Sequence, residues 1–386
     1  MGCGASSKSE AKYVDSVTRI HVAPAGSLLD KESGTLAEGK NVLDIAALIG
    51  LCVDLAEAAG TIVRSVRAHG DITAADKGGT CDISGTYVPD VQTDADRAVD
   101  ALVVGALHKA FPDLLVVCEE SAEGKADPVK SDTSRAGVPQ SCCGVAASAA
   151  GWPFELRAVE VERCVVFVDP LDGTSEFSQG NDEYVTVLIG VAVDGVPVAG
   201  VVHQPFAKPS DVLGGSMNSP GLTVWGGEGV GVQGNCQMSM PTAPVLVGTN
   251  RTVRDDRIAV ALQALADDEL LHAQSPAELR VSATGWHCLR VLCGKQHALL
   301  LTRSGTKKWD ICGPHALLRA VGGVLTDVAG RRYRYEGAAS CHVNRCGLLV
   351  TRSFEMHTAI VKTVSRAINA WPVGIVEDPS IVEELA

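Results

Sequence analysis

One stretch constrains this chain more than any other. Five apolar residues, Cys164 to Val168, run straight into Asp169-Pro170-Leu171-Asp172-Gly173-Thr174. A short apolar run bounded in this way predicts a buried strand that delivers both aspartates at its end. Two carboxylates this close repel each other unless a cation lies between them. Oxygen-only ligands of this kind suit Mg²⁺ or a similar hard cation. Gly173 lets backbone approach a ligand, and the N–H groups of the following turn can hold a phosphate oxygen. Thr174 can orient a water.

Two further acidic clusters stand at predicted element ends. Glu119-Glu120 follows the apolar run Leu114 to Cys118, and Asp310, in Lys307-Lys308-Trp309-Asp310, opens a helix predicted to reach Val321. Pro314 is expected in the first turn or so of that helix, where a missing donor costs least. Any one of these clusters alone reads better as solvated turn acids or helix caps. All three stand at element ends, where function concentrates.

The remaining chain supplies the frame. Apolar residues recur at helical spacing from Val42 to Val66, with Asp44, Asp54 and Glu57 interrupting them. That pattern predicts a core-facing helix rather than a membrane span. A second helix is expected over 94–110. Tyr184 to Val193 and Val196 to Val202 flank Asp194-Gly195, a two-residue hairpin signal. After a Gly- and Pro-marked loop at 207–221, the pattern predicts a strand at 245–248, helices near 255–268 and 284–293, and strands at 297–302 and 324–326. Hairpins mixed with helix–strand alternation predict an α+β or layered α/β fold. The segments are a tail to residue 40, an N-terminal α+β half over 41–206 carrying the metal site, and a C-terminal α/β half over 207–386. Residues 121–160, rich in Ala, Ser, Gly and Pro, read as a surface insertion.

Charge and cysteines exclude several functions. With 33 Lys and Arg against 46 Asp and Glu, the chain of 386 residues carries −13. That balance argues against nucleic-acid binding and requires local cations for any anionic substrate. The 13 cysteines include no C-x-x-C pair. They predict neither structural zinc nor a disulfide framework, but free buried thiols in a reducing, cytoplasmic setting. The N-terminal Met1-Gly2-Cys3-Gly4-Ala5-Ser6 fits N-myristoylation at Gly2, with Cys3 a palmitoylation candidate. Two acyl chains would hold the protein at a membrane surface, where one would not.

The sequence resembles the magnesium-dependent, lithium-sensitive phosphatases of the inositol monophosphatase superfamily. C-E-E-S at 118–121, V-D-P-L-D-G-T-S-E-F at 168–177, K-K-W-D-I-C-G-P at 307–314 and A-V-G-G-V-L-T-D at 320–327 carry the likeness. T-D-A-D-R at 93–97, A-G-V-V-H-Q-P at 199–205 and V-W-G at 224–226 resemble its 3'(2'),5'-bisphosphate nucleotidase branch. The likeness implies an alternating αβαβα sandwich of the sugar-phosphatase type. It implies Glu119, Asp169, Asp172 and Asp310, with the Leu171 carbonyl, as ligands of two or three Mg²⁺ ions, and inhibition by Li⁺. Asp96 and Thr174 would polarise the attacking water. Gly173, Thr174, Asn250, Arg251 and Thr252 would contact a small phosphorylated substrate. The activity implied is removal of the 3'-phosphate from adenosine 3',5'-bisphosphate or its 5'-phosphosulfate relative. The alternatives are an inositol polyphosphate 1-phosphatase or inositol monophosphatase-like enzyme, or a membrane-tethered inactive scaffold. Two substrate positions depart from the branch. Its His aligns with Val253, and its Lys with His287, which would meet phosphate only when protonated. Trp286 could stack on a base or merely pack.

Overall fold

A computed structural model of the protein describes residues 41–70, 72–81, 87–122, 151–214, 221–239, 245–251, 255–268, 277–337, 342–369 and 381–384. Gly2, Cys3, Thr252 and Val253, and most of the 121–160 segment, lie outside these.

Six strands form the first sheet: β1 (Leu115–Cys118), β2 (Cys164–Asp172), β3 (Thr186–Val193), β4 (Val196–Gln204), β5 (Leu222–Gly227) and β6 (Gly231–Gly234). The order is β6-β5-β4-β3-β2-β1, antiparallel except for the β1–β2 pair. Asp194 (φ 52°) and Gly195 (φ 78°) turn β3 into β4, the positive-φ pair that a tight hairpin demands. Every residue of β2 and β3 is buried, as expected for strands covered on both faces. The second sheet comprises β7 (Leu246–Thr249), β8 (Ala277–Arg280), β9 (Ala298–Leu301), β10 (Val324–Thr326) and β11 (Leu348–Thr351), in the order β8-β7-β9-β11-β10.

Six helices of more than two turns separate and cover these sheets: α1 (Ile45–His69), α2 (Asp94–Ala110), α3 (Asp256–Asp267), α4 (Thr284–Leu292), α5 (Lys308–Ala320) and α6 (Phe354–Asn369). One core joins α1 and α2 to the first sheet through Leu55, Val63, Val103, Val166 and Ile189. A second joins Phe167 and Leu188 of that sheet to Leu289 of α4, Ile311 of α5 and Leu299 of β9. A third packs Ile258, Leu265 and Ile360 of α3 and α6 under β7, β9 and β11. The resulting order of layers is αβαβα. Helix α1 is long and apolar enough to cross a membrane, but 72% of its most apolar window is buried within the protein.

Helix α5 lies against the first sheet at backbone contact. A Cβ on Gly190 would fall 2.3 Å from the Gly313 nitrogen, and one on Gly200 2.3 Å from the Gly313 oxygen. Three glycines thus remove the side-chain spacer between helix and sheet, which draws Asp310 down toward the ends of β1 and β2.

The structure differs from the sequence expectations in four places. The first sheet runs on to Gly234, so the division at 206/207 falls inside it; β5 and β6 pair with β4 rather than belonging to a separate half. At the end of the 121–160 segment, Trp152 and Val159 are buried in the first core, and Val159–Glu160 pairs with Val42–Leu43. Helix α5 begins at Lys308, which puts Pro314 in its second turn, inside the helix. Cys236 and Cys293 form a disulfide across 57 residues, while Cys52, Cys118, Cys164, Cys288, Cys312 and Cys346 are buried free thiols. The end of α4 meets the chain beyond β6 only in the folded protein, so local spacing carries no trace of that pair.

Candidate active site

The ends of β1 and β2, the start of α5 and the loop before α4 meet around a cleft of about 250 Å³. Glu119, Asp169, Leu171, Asp172, Gly173, Thr174, Asn250 and Asp310 line it, while Asp96 does not. Glu119, Asp169, Asp172 and Asp310 arrive there by different means. Glu119 opens a one-turn helix (Glu119–Ala122) directly behind β1. Asp169 and Asp172 straddle a break in the β2–β3 register, which turns both toward the strand's end. Asp310 reaches back so that its Oδ2 accepts the Lys307 N–H at 2.8 Å, closing the first turn of α5.

Each carboxylate is oriented by protein donors. Asp169 Oδ1 accepts the Leu171 N–H at 3.0 Å. Asp172 Oδ1 accepts the Thr284 N–H, and its Oδ2 accepts the Gly285 N–H at 2.9 Å and the Thr186 hydroxyl at 3.0 Å. The start of α4 therefore grips a residue of the first sheet. Asp96, at the third position of α2, accepts the Thr93 N–H at 2.7 Å and the Thr93 hydroxyl. The Thr174 hydroxyl lies 3.0 Å from Asp96 Oδ1 and 2.8 Å from the Leu171 carbonyl.

Burial and mutual repulsion set the electrostatics. Loss of hydration, then the nearby charges of Glu119, Asp172 and Asp310, push the Asp169 carboxyl well above the usual range. Asp310 is raised in the same way, by loss of hydration and then by Glu119. Burial raises Asp172 to about 7 against the opposing pull of the Thr186 hydroxyl and the backbone N–H groups at the start of α4. Burial likewise lifts Asp96 to about 7, against its bonds from Thr93. These groups feel one another strongly, and all their donor atoms are oxygen, the set that hard divalent cations prefer. Among the described residues no group of three or more His, Cys, Asp or Glu side chains is placed so that it could hold a metal ion as the side chains stand.

Some predicted substrate residues lie elsewhere. His287 is 1% exposed, with Nδ1 3.0 Å from Gln296 Oε1 and Nε2 3.2 Å from the Val281 carbonyl. Burial lowers its pKa, and it does not line the cleft. Trp286 beside it packs edge-on against Tyr184, centroids 4.8 Å apart, in a small apolar cluster. Arg251 is turned to Glu176, a fully buried carboxylate. Glu176 also accepts the Ser282 N–H at 2.7 Å and an Asn181 amide hydrogen at 3.0 Å. It ties the turn carrying Thr174 to the two loops that carry Asn250 and Ser282. Asn250 Oδ1 lies 3.2 Å from the Ser282 hydroxyl.

Other residues at the cleft escaped the sequence reading. The Lys77 ammonium lies 3.3 Å from both Glu119 Oε1 and Glu120 Oε1 and 3.8 Å from Asp90. Its Lys-Gly-Gly context looks like any exposed turn. Asp255, Thr302, Arg303, Ser304 and Lys307 form the opposite wall. Lys307 was visible in the double lysine before Trp309; the others carry no local signal.

The profile of the inositol monophosphatase family matches residues 44–369. The chain belongs to this family, and is a phosphatase. The family's members are generally magnesium-dependent and lithium-sensitive phosphoric monoester hydrolases. Rat 3'(2'),5'-bisphosphate nucleotidase 1 is 32% identical over 334 residues, which span 84% of this chain and 97% of the rat protein. Inositol monophosphatase 3 of Xenopus tropicalis is 27% identical over 334 residues, 85% of this chain and 83% of the frog protein. In fold, the chain matches the extragenic suppressor protein suhB from Bartonella henselae with a TM-score of 0.55, at 16% identity, over 83% of this chain and 99% of suhB. The αβαβα layers implied by the sequence resemblance are thus those of the family.

Proposed function

We propose that this chain is a Mg²⁺-dependent phosphomonoesterase that removes the 3'-phosphate of adenosine 3',5'-bisphosphate or of its 5'-phosphosulfate relative. The observation that carries the reading is the Thr174–Asp96 bond, set beside Glu119, Asp169, Asp172 and Asp310 in one cleft. The near full-length likeness to a bisphosphate nucleotidase supports the choice of substrate.

Four carboxylates and the Leu171 carbonyl make an all-oxygen donor set that suits two or three Mg²⁺ ions. Bound there, such ions supply charge neutralisation for the phosphoryl group and a more acidic water. The chain's own residues do the rest. Asp96 accepts the Thr174 hydroxyl proton, which leaves a Thr174 lone pair aimed at the cleft to take a proton from water. Asp96 is itself held by Thr93, so the pair keeps its orientation. The amide donors on Asp172 and Asp169 fix carboxylates that would otherwise swing apart under mutual repulsion. Gly173, with φ +85°, brings backbone to the cleft wall beside Thr174.

Phosphate release from adenosine 3',5'-bisphosphate, inositol 1,4-bisphosphate and inositol 1-phosphate, each with Mg²⁺, tests the reading. The nucleotide is turned over fastest and Li⁺ inhibits. Preference for either inositol substrate would replace the nucleotide reading with the inositol phosphatase one, and release from none would leave the tethered scaffold. Myristoylation at Gly2 and palmitoylation at Cys3 would place the enzyme on the cytoplasmic face of a membrane. Mass spectrometry of the native N-terminus decides that, and a free or acetylated end refutes it.

A further inference from the structure

We propose that Glu176 is a positioning residue: its buried carboxylate, paired with Arg251, holds the cleft wall that carries Asn250 and Ser282 against the turn that presents Thr174. The inference rests on the nucleotide phosphatase reading above. It makes Arg251 a strut for the wall and not a contact to phosphate.

The two sides of the cleft come from different sheets. Thr174 and Ser175 follow β2 of the first sheet. Asn250 follows β7 and Ser282 follows β8 of the second, and both line the cleft. Strands β8 and β7 form one edge of that sheet, and β8 is mostly exposed. Few buried contacts hold such an edge, so ties between the sheets decide where its loops stand.

Two carboxylates four residues apart make those ties. Asp172 accepts the N–H groups of Thr284 and Gly285, and Glu176 Oε1 accepts that of Ser282 at 2.7 Å. Asp172 lines the cleft; Glu176 is fully buried and does not. Glu176 Oε2 accepts an Asn181 amide hydrogen at 3.0 Å and the Arg251 guanidinium. Arg251 does not line the cleft either. One carboxylate thus joins the turn after β2 to the loops after β7 and β8, and the Ser282 hydroxyl, 3.2 Å from Asn250 Oδ1, links those loops to each other.

The turn has its own foundation. Arg67 of α1 donates to the Phe177 carbonyl, pairs with Asp182 and lies over the Phe177 ring, 4.1 Å from its centroid. Thr174 is bonded to Asp96 and to the Leu171 carbonyl. Loss of the Glu176 charge therefore releases the wall and leaves the reacting end in place. Glutamine keeps the volume and the oxygen that faces Ser282, but turns an NH₂ group toward two donors, Arg251 and Asn181.

Steady-state hydrolysis of adenosine 3',5'-bisphosphate by the full chain with Mg²⁺ tests this, with adenosine 3'-monophosphate and inorganic phosphate as competitors. Glu176→Gln and Arg251→Gln should each raise KM for the bisphosphate and Ki for the monophosphate by the same factor, about tenfold. Their kcat, and Ki for inorganic phosphate, should stay within about threefold of the wild type, since phosphate alone needs only the reacting end. The double variant should lose no more than either single one, and Arg251→Lys should recover part of the loss. A rise confined to the bisphosphate in Arg251→Gln would make Arg251 a direct phosphate contact and overturn the assignment. An equal rise in Ki for inorganic phosphate, or no effect at all, also overturns it; each of these leaves the nucleotidase reading intact. A wild type that releases no phosphate from the bisphosphate overturns that reading, and this one with it. Thermal melting checks that each variant folds, and the exposed Arg251 keeps the test open if Glu176→Gln does not.

Discussion

The hydroxyl of Thr174 lies 3.0 Å from Asp96 Oδ1 across 78 residues of sequence. It joins the first turn after β2 to the first turn of α2. Thr93 holds the far side of the same carboxylate, so the pair has little freedom to drift. A base relay built this way needs the hydroxyl and not the methyl of threonine. Thr174→Ser should retain most activity, whereas Thr174→Ala should lower kcat by about 100-fold or more. Equal losses in the two variants, read from phosphate release, would show that the hydroxyl is not the working group.

Asp169 is crowded by Glu119, Asp172 and Asp310 and is buried. Asn keeps the volume and the oxygen that accepts the Leu171 N–H, while removing one like charge. Asp169→Asn should abolish turnover and, without added metal, melt no lower than the wild type. Activity retained in that variant contradicts its assignment as a ligand.

Backbone contact between α5 and the first sheet leaves no room for a methyl group. A Cβ at Gly190 would lie 2.3 Å from the Gly313 nitrogen and 2.6 Å from Cys312 Cβ. Gly190→Ala must push α5 away, at a cost of about 1–3 kcal/mol. Since α5 carries Asp310, activity should fall along with stability. Urea unfolding measures the first effect. A variant as stable as the wild type would mean that helix and sheet are not in backbone contact.

His203 is fully buried, and burial lowers its pKa to about 3, with the Arg64 charge adding to the effect. Its Nδ1 is 3.0 Å from the Thr223 hydroxyl, which itself donates to Glu57, and its Nε2 has no partner. The unfolded chain takes up this proton near pH 6.5 and the native one does not. The unfolded state therefore binds more protons below that pH, and the stability His203 contributes as a neutral ring is lost as pH falls from about 6.5 toward 3. Between pH 7.5 and 5.0 the wild type should lose about 2 kcal/mol more than His203→Gln. Parallel losses in urea titrations at the two pH values would rule this out.

Local pattern was a good guide where one physical factor decides structure. The periodicity of 42–66 found α1, and Asp194-Gly195 found the β3–β4 turn, because spacing and turn chemistry alone determine these. The strand after Cys164 extended four residues beyond the apolar run, since Asp169 and Asp172 continue β2 across its register break. The β5–β6 hairpin was missed because glycines at 226, 227, 231 and 234 mask strand alternation. The amphipathic stretch that forms α6 was not read at all. At the site, the carboxylates were legible as motifs, yet His287 was misplaced. Whether that ring reaches solvent depends on Gln296 and on Gly248, where a Cβ would fall 2.4 Å from its Nδ1. Neither is its neighbour in sequence. Arg303 was invisible for the same reason, since only the fold brings 301–307 opposite Asn250 and Thr174.

The central claim is that these carboxylates work by holding a hard divalent ion. The most direct measurement is phosphate release from adenosine 3',5'-bisphosphate by the full chain, first stripped with EDTA and then titrated with Mg²⁺. The account predicts no release in EDTA, a saturable rise with Mg²⁺, and suppression of that rise by Li⁺. Undiminished release in EDTA would contradict it.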